Sequence, residues 1–220
     1  MILEYVIVLA TVIIAYLIGS ISSAVIISKT ISGKDIRTEG SGNAGATNML
    51  RVHGKAAGAI TLLLDALKGV VAVLAGILLN IWLKNAVPES IFVDNLKYIA
   101  GLFAVIGHDF PLFFGFKGGK GVATSLGVIL MLNWQIGLLV LIIALLIMII
   151  SRYVSLGSIL AAVIYFVLVL VFMIAQKDYN AIYLICVFLM AVLLIAKHHG
   201  NIGRLIKGTE NKLFSKKDKE

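Results

Sequence analysis

This sequence is poor in the residues that mark soluble, disulfide-bonded or turn-rich proteins. It contains one cysteine and two prolines in 220 residues. A lone cysteine excludes an internal disulfide, and Cys186 lies within an apolar run, so we expect a packed thiol. Charged residues make up only 14% of the chain and hydrophobic residues 60%, whereas a soluble domain has roughly 45–50% apolar residues. Water is therefore not the main solvent of this protein.

Long apolar runs take the place of the missing polar residues. The mean hydropathy is +1.05, and several runs reach the roughly 20 apolar residues that a spanning helix needs. The first run, residues 2–27, has neither a basic start nor an obvious cleavage site, so we expect a retained span. We predict an all-α, polytopic membrane helix bundle that forms one domain over residues 1–220. Its basic tail, from about residue 208, is expected to be partly disordered.

The basic loops predict how the helices are oriented. Residues 28–55, a central glycine-rich loop and the tail are net basic, and lysine and arginine collect on the cytoplasmic side. An even number of crossings between the first loop and the tail requires a turn at Asn133. We therefore expect seven segments, with the amino terminus outside and the carboxyl terminus in the cytoplasm; six, with one long helix over 122–150, is the alternative. The predicted segments are residues 2–27, 56–83, 95–116, 122–150 as two helices, 154–176 and 180–197.

The first basic loop contains GSGNAGATN at 40–48, followed by Arg51. Its glycines permit close backbone approach, and hydroxyl and amide groups beside a cation suit an oxyanion or a phosphate. The candidate ligand-binding residues are Ser41, Gly42, Asn43, Thr47, Asn48 and Arg51. The alternative is a helix cap that satisfies its own backbone, and it predicts only a mild effect when Arg51 is lost.

The second cluster, FKGGKGVAT at 116–124, directly precedes a predicted helix. Exposed backbone amides, a helix amino terminus and two ammonium groups favour a bound anion. The candidate residues are Lys117, Gly118, Gly119, Lys120 and Gly121. Because Phe114 and Gly121 stand where a Walker A motif needs glycine and a hydroxyl residue, ATP hydrolysis is disfavoured. A flexible basic turn that only sets orientation is the alternative.

The third cluster, HHGNIGRL at 198–205, ends the last apolar run. Histidine titrates near neutral pH and can act as a base, and a neighbouring amide can donate to an oxyanion. RYVSLGS at 152–158 is expected on the same face and adds two hydroxyls. The candidate residues here are His198, Asn201, Ser155 and Ser158. A helix end with cations near the negative dipole is the alternative, and no carboxylate or thiolate completes a metal set, so we predict no metal ion.

Polar residues within or beside the apolar runs need a reason, because burying them in lipid is costly. Asp65 and Lys68 share one helix face at i,i+3, and a structural ion pair is the leading interpretation. His108, in GHDFP at 107–111, is expected to cap the third segment and support the Lys117 loop.

Together these motifs resemble the PlsY family of bacterial acyl-phosphate:glycerol-3-phosphate acyltransferases. The resemblance extends nearly end to end and rests on GSGNAGATN with Arg51, GHDFPLFFGFKGGKGVATS, HHGNIGRLIKGTENKL, LLLDALKG and RYVSLGS. It implies seven helices in the bacterial plasma (inner) membrane, with the active site facing the cytoplasm. It also implies acyl transfer from acyl phosphate to the sn-1 hydroxyl of glycerol 3-phosphate, which begins phospholipid synthesis and yields lysophosphatidate and phosphate.

The resemblance also implies roles for residues in each motif. The catalytic candidates are Ser41, Arg51, Lys120, His198 and Asn201. Lys120 is preferred to Lys117 because it lies next to the helix start. A hydrogen-bonding role is expected for Ser41, with a nucleophilic serine left open, and the base is either His198 or a substrate phosphate. The implied partners are both substrates, membrane lipids and the peripheral enzyme that makes acyl phosphate, but not nucleic acid.

An acyl phosphate is already activated, so the protein mainly has to align the hydroxyl and stabilise developing charge. We therefore predict neither a covalent intermediate nor a cofactor. No histidine has an aspartate five positions later, so the acyltransferases with a His-x4-Asp dyad do not fit. An organic-phosphate transporter and a basic membrane scaffold are the rival functions. All of this depends on three motifs, distant in the chain, meeting beside the cytosol.

Overall fold

A computed structural model describes residues 2–84, 87 and 90–213. Within these ranges the chain forms α-helices and three short 3-10 helices and no strand, which confirms the all-α prediction. The α-helices are α1 (Ile2–Gly19), α2 (Ser23–Ser32), α3 (Ala46–Leu83), α4 (Leu96–Asp109), α5 (Val122–Leu132), α6 (Trp134–Ser151), α7 (Val154–Gln176), α8 (Ala181–Lys197) and α9 (His199–Ile206). The 3-10 helices are Ile36–Thr38, Val93–Asn95 and Leu112–Phe114. The predicted tail beyond residue 213 lies outside the described residues.

Several helices have the length and composition of membrane spans. In the described part of the chain there are five such spans, or six if α8 and α9, which are bent by 57°, form one. Large apolar side chains are exposed along them, for example Leu63 and Ile150, which are 68% and 81% exposed. An apolar exterior of this kind suits lipid rather than water. The count of seven spans and their orientation stay predictions.

The predicted turn at Asn133 is confirmed. Helix α5 ends at Leu132 and α6 begins at Trp134. Asn133 caps α6, because its Oδ1 accepts a hydrogen bond from the Ile136 amide at 3.1 Å. A continuous helix over 122–150 is thereby excluded, and α5, with 11 residues, is too short to cross a hydrocarbon core of about 30 Å.

The first predicted span, residues 2–27, lies within a candidate span, Ile2–Ser32, but the helix is broken inside it. The chain leaves the helix after Gly19 and re-enters it at Ser23. The Ser20 hydroxyl donates to the Tyr16 carbonyl at 2.8 Å and accepts the Leu112 amide at 3.3 Å. A serine side chain that bonds to backbone in this way competes with regular helix and stabilises the break.

Two other boundaries reflect breaks in the helices. Helix α3 is interrupted at Gly54, where φ is +85° and ψ is −176°, so the predicted start at residue 56 matches the helix after the break but misses the helical residues 46–53 before it. Helix α4 ends at Asp109 rather than at residue 116. The cause of the second difference is Pro111, which lacks an amide hydrogen and restricts the residue before it.

The chain divides into two compact units, Met1–Leu132 and Asn133–Glu220. In the first unit α1 packs on α4, and α3 packs on α4 and α5. Glycine sets these distances, because a Cβ at Gly19 would strike the Ala104 backbone and one at Gly127 would strike the Ala66 backbone. The short helix α5 lies against α3 and α4, so its predicted protection by neighbouring helices is confirmed.

The second unit contains α6 to α9. Helix α7 packs closely on α6 at Gly157, where an added Cβ would meet α6 atoms. The Tyr165 hydroxyl of α7 and the Tyr183 hydroxyl of α8 lie 3.1 Å apart, and the ring centroids of Phe166 and Phe188 are 5.7 Å apart. The two hydroxyls satisfy each other within the apolar helix pair, as buried polar groups in a span require. That the whole chain acts as one domain stays a prediction.

Candidate active site

The GSGNAGATN segment forms a loop that closes onto the start of α3. Asn48 lies at its centre and is 1% exposed. Its Oδ1 accepts the Ser41 amide at 2.8 Å, and its Nδ2 donates to the carbonyls of Ile36 at 3.2 Å and Glu39 at 3.0 Å. The Asn48 side chain is thus engaged with the loop backbone and holds the loop in shape. Its predicted contact with substrate stays a prediction.

The same loop and the start of α3 also present side-chain donors that make no hydrogen bond within the described residues. Ser41 lies between Gly40 and Gly42, whose φ values of +58° and +71° are rare for L side chains. Thr47 and Arg51 are exposed and lie one turn apart on α3. Within the described residues, the side chains of Ser41, Thr47 and Arg51 make no hydrogen bond or ion pair. These groups are therefore accessible to a ligand, and half-buried Asn43 lies beside them.

The second loop folds back against the end of α4. The Gly118 amide donates to the Asp109 carbonyl at 3.3 Å, and the Gly119 amide donates to the His108 carbonyl at 3.2 Å. The last carbonyls of a helix lack hydrogen-bond partners within the helix, and the amides of this loop supply those partners. The structure therefore differs from the expectation that both glycine amides are exposed to an anion. Their role in substrate binding stays a prediction.

The two loops meet at Gly119, which is buried. A Cβ at this position would strike Nε2 of His108 and would lie 2.9 Å from the Ala44 carbonyl oxygen. Only glycine fits between these groups without a shift of its neighbours. The first and second motifs therefore lie side by side in the first unit.

The lysines of the second loop have different surroundings. Lys117 is exposed, and its side chain makes no ion pair in the described part of the chain. Lys120 is half-buried and precedes Gly121, where φ is +72° as the chain turns into α5. A Cβ at Gly121 would lie 3.2 Å from Oδ1 of Asp109, so a buried carboxylate lies beside the start of this helix.

A cluster of buried polar residues contacts this loop. The predicted ion pair is confirmed, with Nζ of Lys68 3.2 Å from Oδ1 of Asp65. Lys68 also donates to the Ile21 carbonyl at 2.8 Å, where the first span is broken. Nδ1 of His108 lies 3.7 Å from the same Asp65 oxygen. Since His108 also contacts Gly119, its predicted support of the Lys117 loop is confirmed.

Arg37, absent from the predicted site, joins the same two loops. Its Nη1 donates to the carbonyls of Phe114 at 2.6 Å and Lys117 at 3.0 Å. Its Nε and Nη2 donate to the Asp35 carboxylate at 2.9 Å and 2.7 Å. The hydrogen bond from the Arg37 side chain holds the pKa of Asp35 below its ordinary value, against the effect of burial. The only sequence signal was an acid and an arginine two positions apart before the glycine-rich loop.

The third motif, in the second unit, is organised by Glu210. Its Oε1 accepts hydrogen bonds from Nδ2 of Asn201 at 2.6 Å and from Oγ of Ser155 at 2.9 Å. Its Oε2 accepts from Nε of Arg204 at 2.7 Å. Burial raises the pKa of Glu210, but the three hydrogen bonds outweigh burial and leave that pKa below its ordinary value. Glu210 was not predicted as a site residue; its signal was one acid in a basic segment.

His198 is held in a defined orientation. The side chain is 3% exposed, and Nδ1 lies 2.8 Å from the Leu194 carbonyl oxygen. A carbonyl only accepts, so Nδ1 carries a hydrogen, and this hydrogen bond fixes the orientation of the ring. Ser158 is also buried, and its hydroxyl donates to the Val154 carbonyl at 2.9 Å. Its proton is therefore used within α7.

The first part of the predicted tail returns to the start of α7. Gly208, with φ +68°, ends α9 and redirects the chain. The Leu213 amide donates to the Arg152 carbonyl at 2.7 Å. This return places the Glu210 carboxylate beside Ser155. The remaining lysines of the tail, Lys216, Lys217 and Lys219, lie outside the described residues.

Among the described residues, no group of three or more histidine, cysteine, aspartate or glutamate side chains is placed to hold a metal ion. The predicted absence of a metal ion and of a cofactor stays a prediction.

These features define an integral membrane protein of helices whose polar loops present ordered donors and cations. A family model described as glycerol-3-phosphate acyltransferase matches residues 9–208. The chain therefore belongs to the glycerol-3-phosphate acyltransferase family and is a membrane acyltransferase. The resemblance found in its motifs is confirmed.

Individual relatives agree with this assignment. The chain is 46% identical over 208 residues to the glycerol-3-phosphate acyltransferase of Shouchella clausii (strain KSM-K16), covering 94% of this chain and 97% of the relative. It is similar to a crystal structure of PlsY (YgiH), an integral membrane glycerol 3-phosphate acyltransferase in its glycerol 3-phosphate form. That likeness has a TM-score of 0.78 at 38% identity and covers 94% of this chain and 95% of the other. The lysphosphatidic acid form of PlsY gives a TM-score of 0.74 at 37% identity, covering 93% and 94%.

Proposed function

We propose that this protein transfers a fatty acyl group from acyl phosphate to the sn-1 hydroxyl of glycerol 3-phosphate, giving lysophosphatidate and phosphate. The proposal rests on exposed donors in the first unit whose side chains make no hydrogen bond or ion pair within the described residues. Ser41, Thr47 and Arg51 lie on one loop and the following helix turn, and Lys117 lies on the loop beside it. Hydroxyls and cations gathered in this way suit a phosphorylated substrate.

The reaction requires little covalent chemistry from the protein. The sn-1 hydroxyl oxygen attacks the acyl carbon, the bond from that carbon to the phosphate oxygen breaks, and the hydroxyl proton passes to a base. Alignment and stabilisation of the developing negative charge therefore dominate catalysis. We assign charge neutralisation to Arg51 and Lys120, and hydrogen bonding to phosphate or hydroxyl to Ser41. Lys117 and the glycines of its loop bind glycerol 3-phosphate.

The second unit supplies ordered groups for the transfer. The hydrogen bond from Nδ1 of His198 to the Leu194 carbonyl fixes the orientation of the ring, which supports a role as base or as a group that orients the hydroxyl. Asn201 is oriented by Glu210. A substrate phosphate oxygen is the other candidate for accepting the proton.

The proposed location is the bacterial inner membrane, with the active loops facing the cytoplasm. The positive-inside rule supports this orientation, because the loops and the tail are basic. In the bilayer, the fatty acyl chain stays in an apolar solvent while the phosphates remain in water. Acyl phosphate is supplied, in this proposal, by the peripheral enzyme that makes it.

The experiment is a product assay on the purified protein in lipid nanodiscs. With acyl phosphate and glycerol 3-phosphate, we expect phosphate and lysophosphatidate in equal amounts, with the acyl group on the sn-1 oxygen by NMR. Product formed only from an acyl thioester would contradict the assigned donor. Uptake of glycerol 3-phosphate into liposomes without any donor would favour the transporter instead.

A further inference from the structure

Arg37 lies in the short helix before the GSGN loop, and its side chain binds Asp35 and the second loop. Four of its five N–H groups donate hydrogen bonds, two to the Asp35 carboxylate and two to the carbonyls of Phe114 and Lys117. A guanidinium with four such hydrogen bonds links parts of the protein to one another. The Arg51 side chain, by contrast, makes no hydrogen bond or ion pair within the described residues.

The carbonyls that Arg37 binds flank a turn with rare backbone conformation. Gly115 and Phe116 have φ values of +67° and +59°, in the left-handed region that a phenylalanine seldom adopts. Such a conformation persists where the surroundings determine it strongly. Because Arg37 binds the residue before this pair and the residue after it, the guanidinium holds the turn from both ends.

Asp35 fixes the guanidinium in turn. Its Oδ1 accepts the backbone amide of Arg37 at 3.0 Å in addition to the side-chain contact. The bidentate pairing sets the plane of the guanidinium, so that Nη1 faces the second loop. A lysine at this position offers one point charge, which cannot bind the carboxylate and both carbonyls in the same geometry.

We propose that Arg37, oriented by Asp35, is a positioning residue for the acyl transfer. It holds the second loop, through the carbonyls of Phe114 and Lys117, against the 35–38 segment that leads into the GSGN loop, and so sets the affinity for glycerol 3-phosphate without contacting the substrate. This inference rests on the proposed function of both loops in binding phosphate. Since the residue acts on binding geometry, its loss changes KM more than kcat.

Steady-state kinetics of two Arg37 variants test the proposal. Arg37→Ala and Arg37→Lys are both expected to raise KM for glycerol 3-phosphate about tenfold, with kcat within about threefold, since each loses charge-assisted hydrogen bonds to the loop. Lys34→Gln is the matched control. The Lys34 side chain is 68% exposed in the same loop, and its one ion pair within the described residues is with Glu39, at 3.2 Å. Its KM is expected to stay at the wild-type value.

Hydrogen–deuterium exchange, measured without substrate, tests the loop directly. In both Arg37 variants we expect faster exchange of the Gly118 and Gly119 amides, which donate to the end of α4. In Lys34→Gln the exchange is expected to match wild type.

Three outcomes would overturn the inference. They are wild-type KM and exchange in Arg37→Lys, a fall in kcat at unchanged KM, and a lower melting temperature with normal kinetics. Failure of the wild-type protein to make lysophosphatidate would reject the proposed function instead. The exchange experiment still decides the role of Arg37 in the loop in that case.

Discussion

Some candidate site residues of the two units are in contrasting states. In the first, the described side chains of Ser41 and Arg51 are exposed and make no hydrogen bond or ion pair. In the second, Ser155 and Asn201 are buried and bound to Glu210. Accessible cations suit the capture of an anion, whereas buried, oriented groups suit the stabilisation of a transition state. We infer that the first unit binds phosphate and that the second acts in the transfer.

The largest expected effect comes from Arg51→Ala. Loss of this cation leaves phosphate charge uncompensated, and we expect kcat/KM for phosphate release to fall about 100- to 1000-fold. Lys55→Ala is the matched control, because Lys55 is also exposed and lies four positions after Arg51, just beyond the break at Gly54. It is expected to stay within about twofold of wild type, as for an isolated surface charge. Equal losses in both variants would show that general basic charge is sufficient.

Glu210→Gln is expected to have a smaller effect than Arg51→Ala, because it disturbs only the hydrogen bonds around Glu210 in the second unit. The variant loses the ion pair with Arg204 and weakens the hold on Asn201 and Ser155. We expect the free energy of unfolding to fall by about 1–3 kcal/mol and kcat to fall about tenfold. Thermal unfolding and initial rates measure the two effects. Lys207→Gln, at an exposed position after α9, is the control and is expected to change neither quantity.

The pH dependence of the same variant has a definite sign. The pKa of Glu210 lies below its ordinary value of 4.5, so its ionised form stabilises the folded protein. That stability is fully present above the unfolded pKa and is lost as the pH falls through the folded pKa. The difference in Tm between wild type and Glu210→Gln is therefore expected to be constant down to about pH 5.5 and to shrink below it. A difference that grows in acid would contradict the assignment.

Two glycines give the smallest effects, with opposite signs. An alanine at Gly119 meets the His108 ring and the Ala44 carbonyl, so Gly119→Ala is expected to destabilise the protein by about 1–3 kcal/mol. Gly203 lies in α9 with no atom near its missing Cβ, and Gly203→Ala is expected to stabilise by about 0.5–1 kcal/mol. Thermal unfolding in one detergent compares them. Unchanged or raised stability in Gly119→Ala would mean that the two loops do not meet closely at Gly119.

The helices were largely predictable because lipid admits few alternatives. A long apolar run must satisfy its own backbone, so α7 was predicted at Val154–Gln176, as observed. The turn at Asn133 followed from the side on which the basic loops must lie. The break after Gly19 was not predictable, because it depends on a hydrogen bond from Leu112 to Ser20, distant in the chain.

The motifs of the candidate site were predictable from the sequence, but the residues that hold those motifs in place were not. Glycine, hydroxyl and cation patterns marked Ser41 and Lys120, because such groups together have few other uses. Arg37 and Glu210 resembled solvated charges in basic segments. Their roles come from contacts that no local pattern reveals, such as the bond from Arg37 to the Lys117 carbonyl, 80 positions away.

Equilibrium binding of glycerol 3-phosphate tests most directly whether the first unit binds phosphate and the second acts in the transfer. Calorimetry on Lys117→Ala and Asn201→Ala, in the same nanodiscs and without acyl phosphate, compares one residue from each. We expect Lys117→Ala to raise Kd about tenfold or more, and Asn201→Ala to leave Kd within about threefold while turnover is lost. Loss of binding in Asn201→Ala, or wild-type binding in Lys117→Ala, would contradict this division.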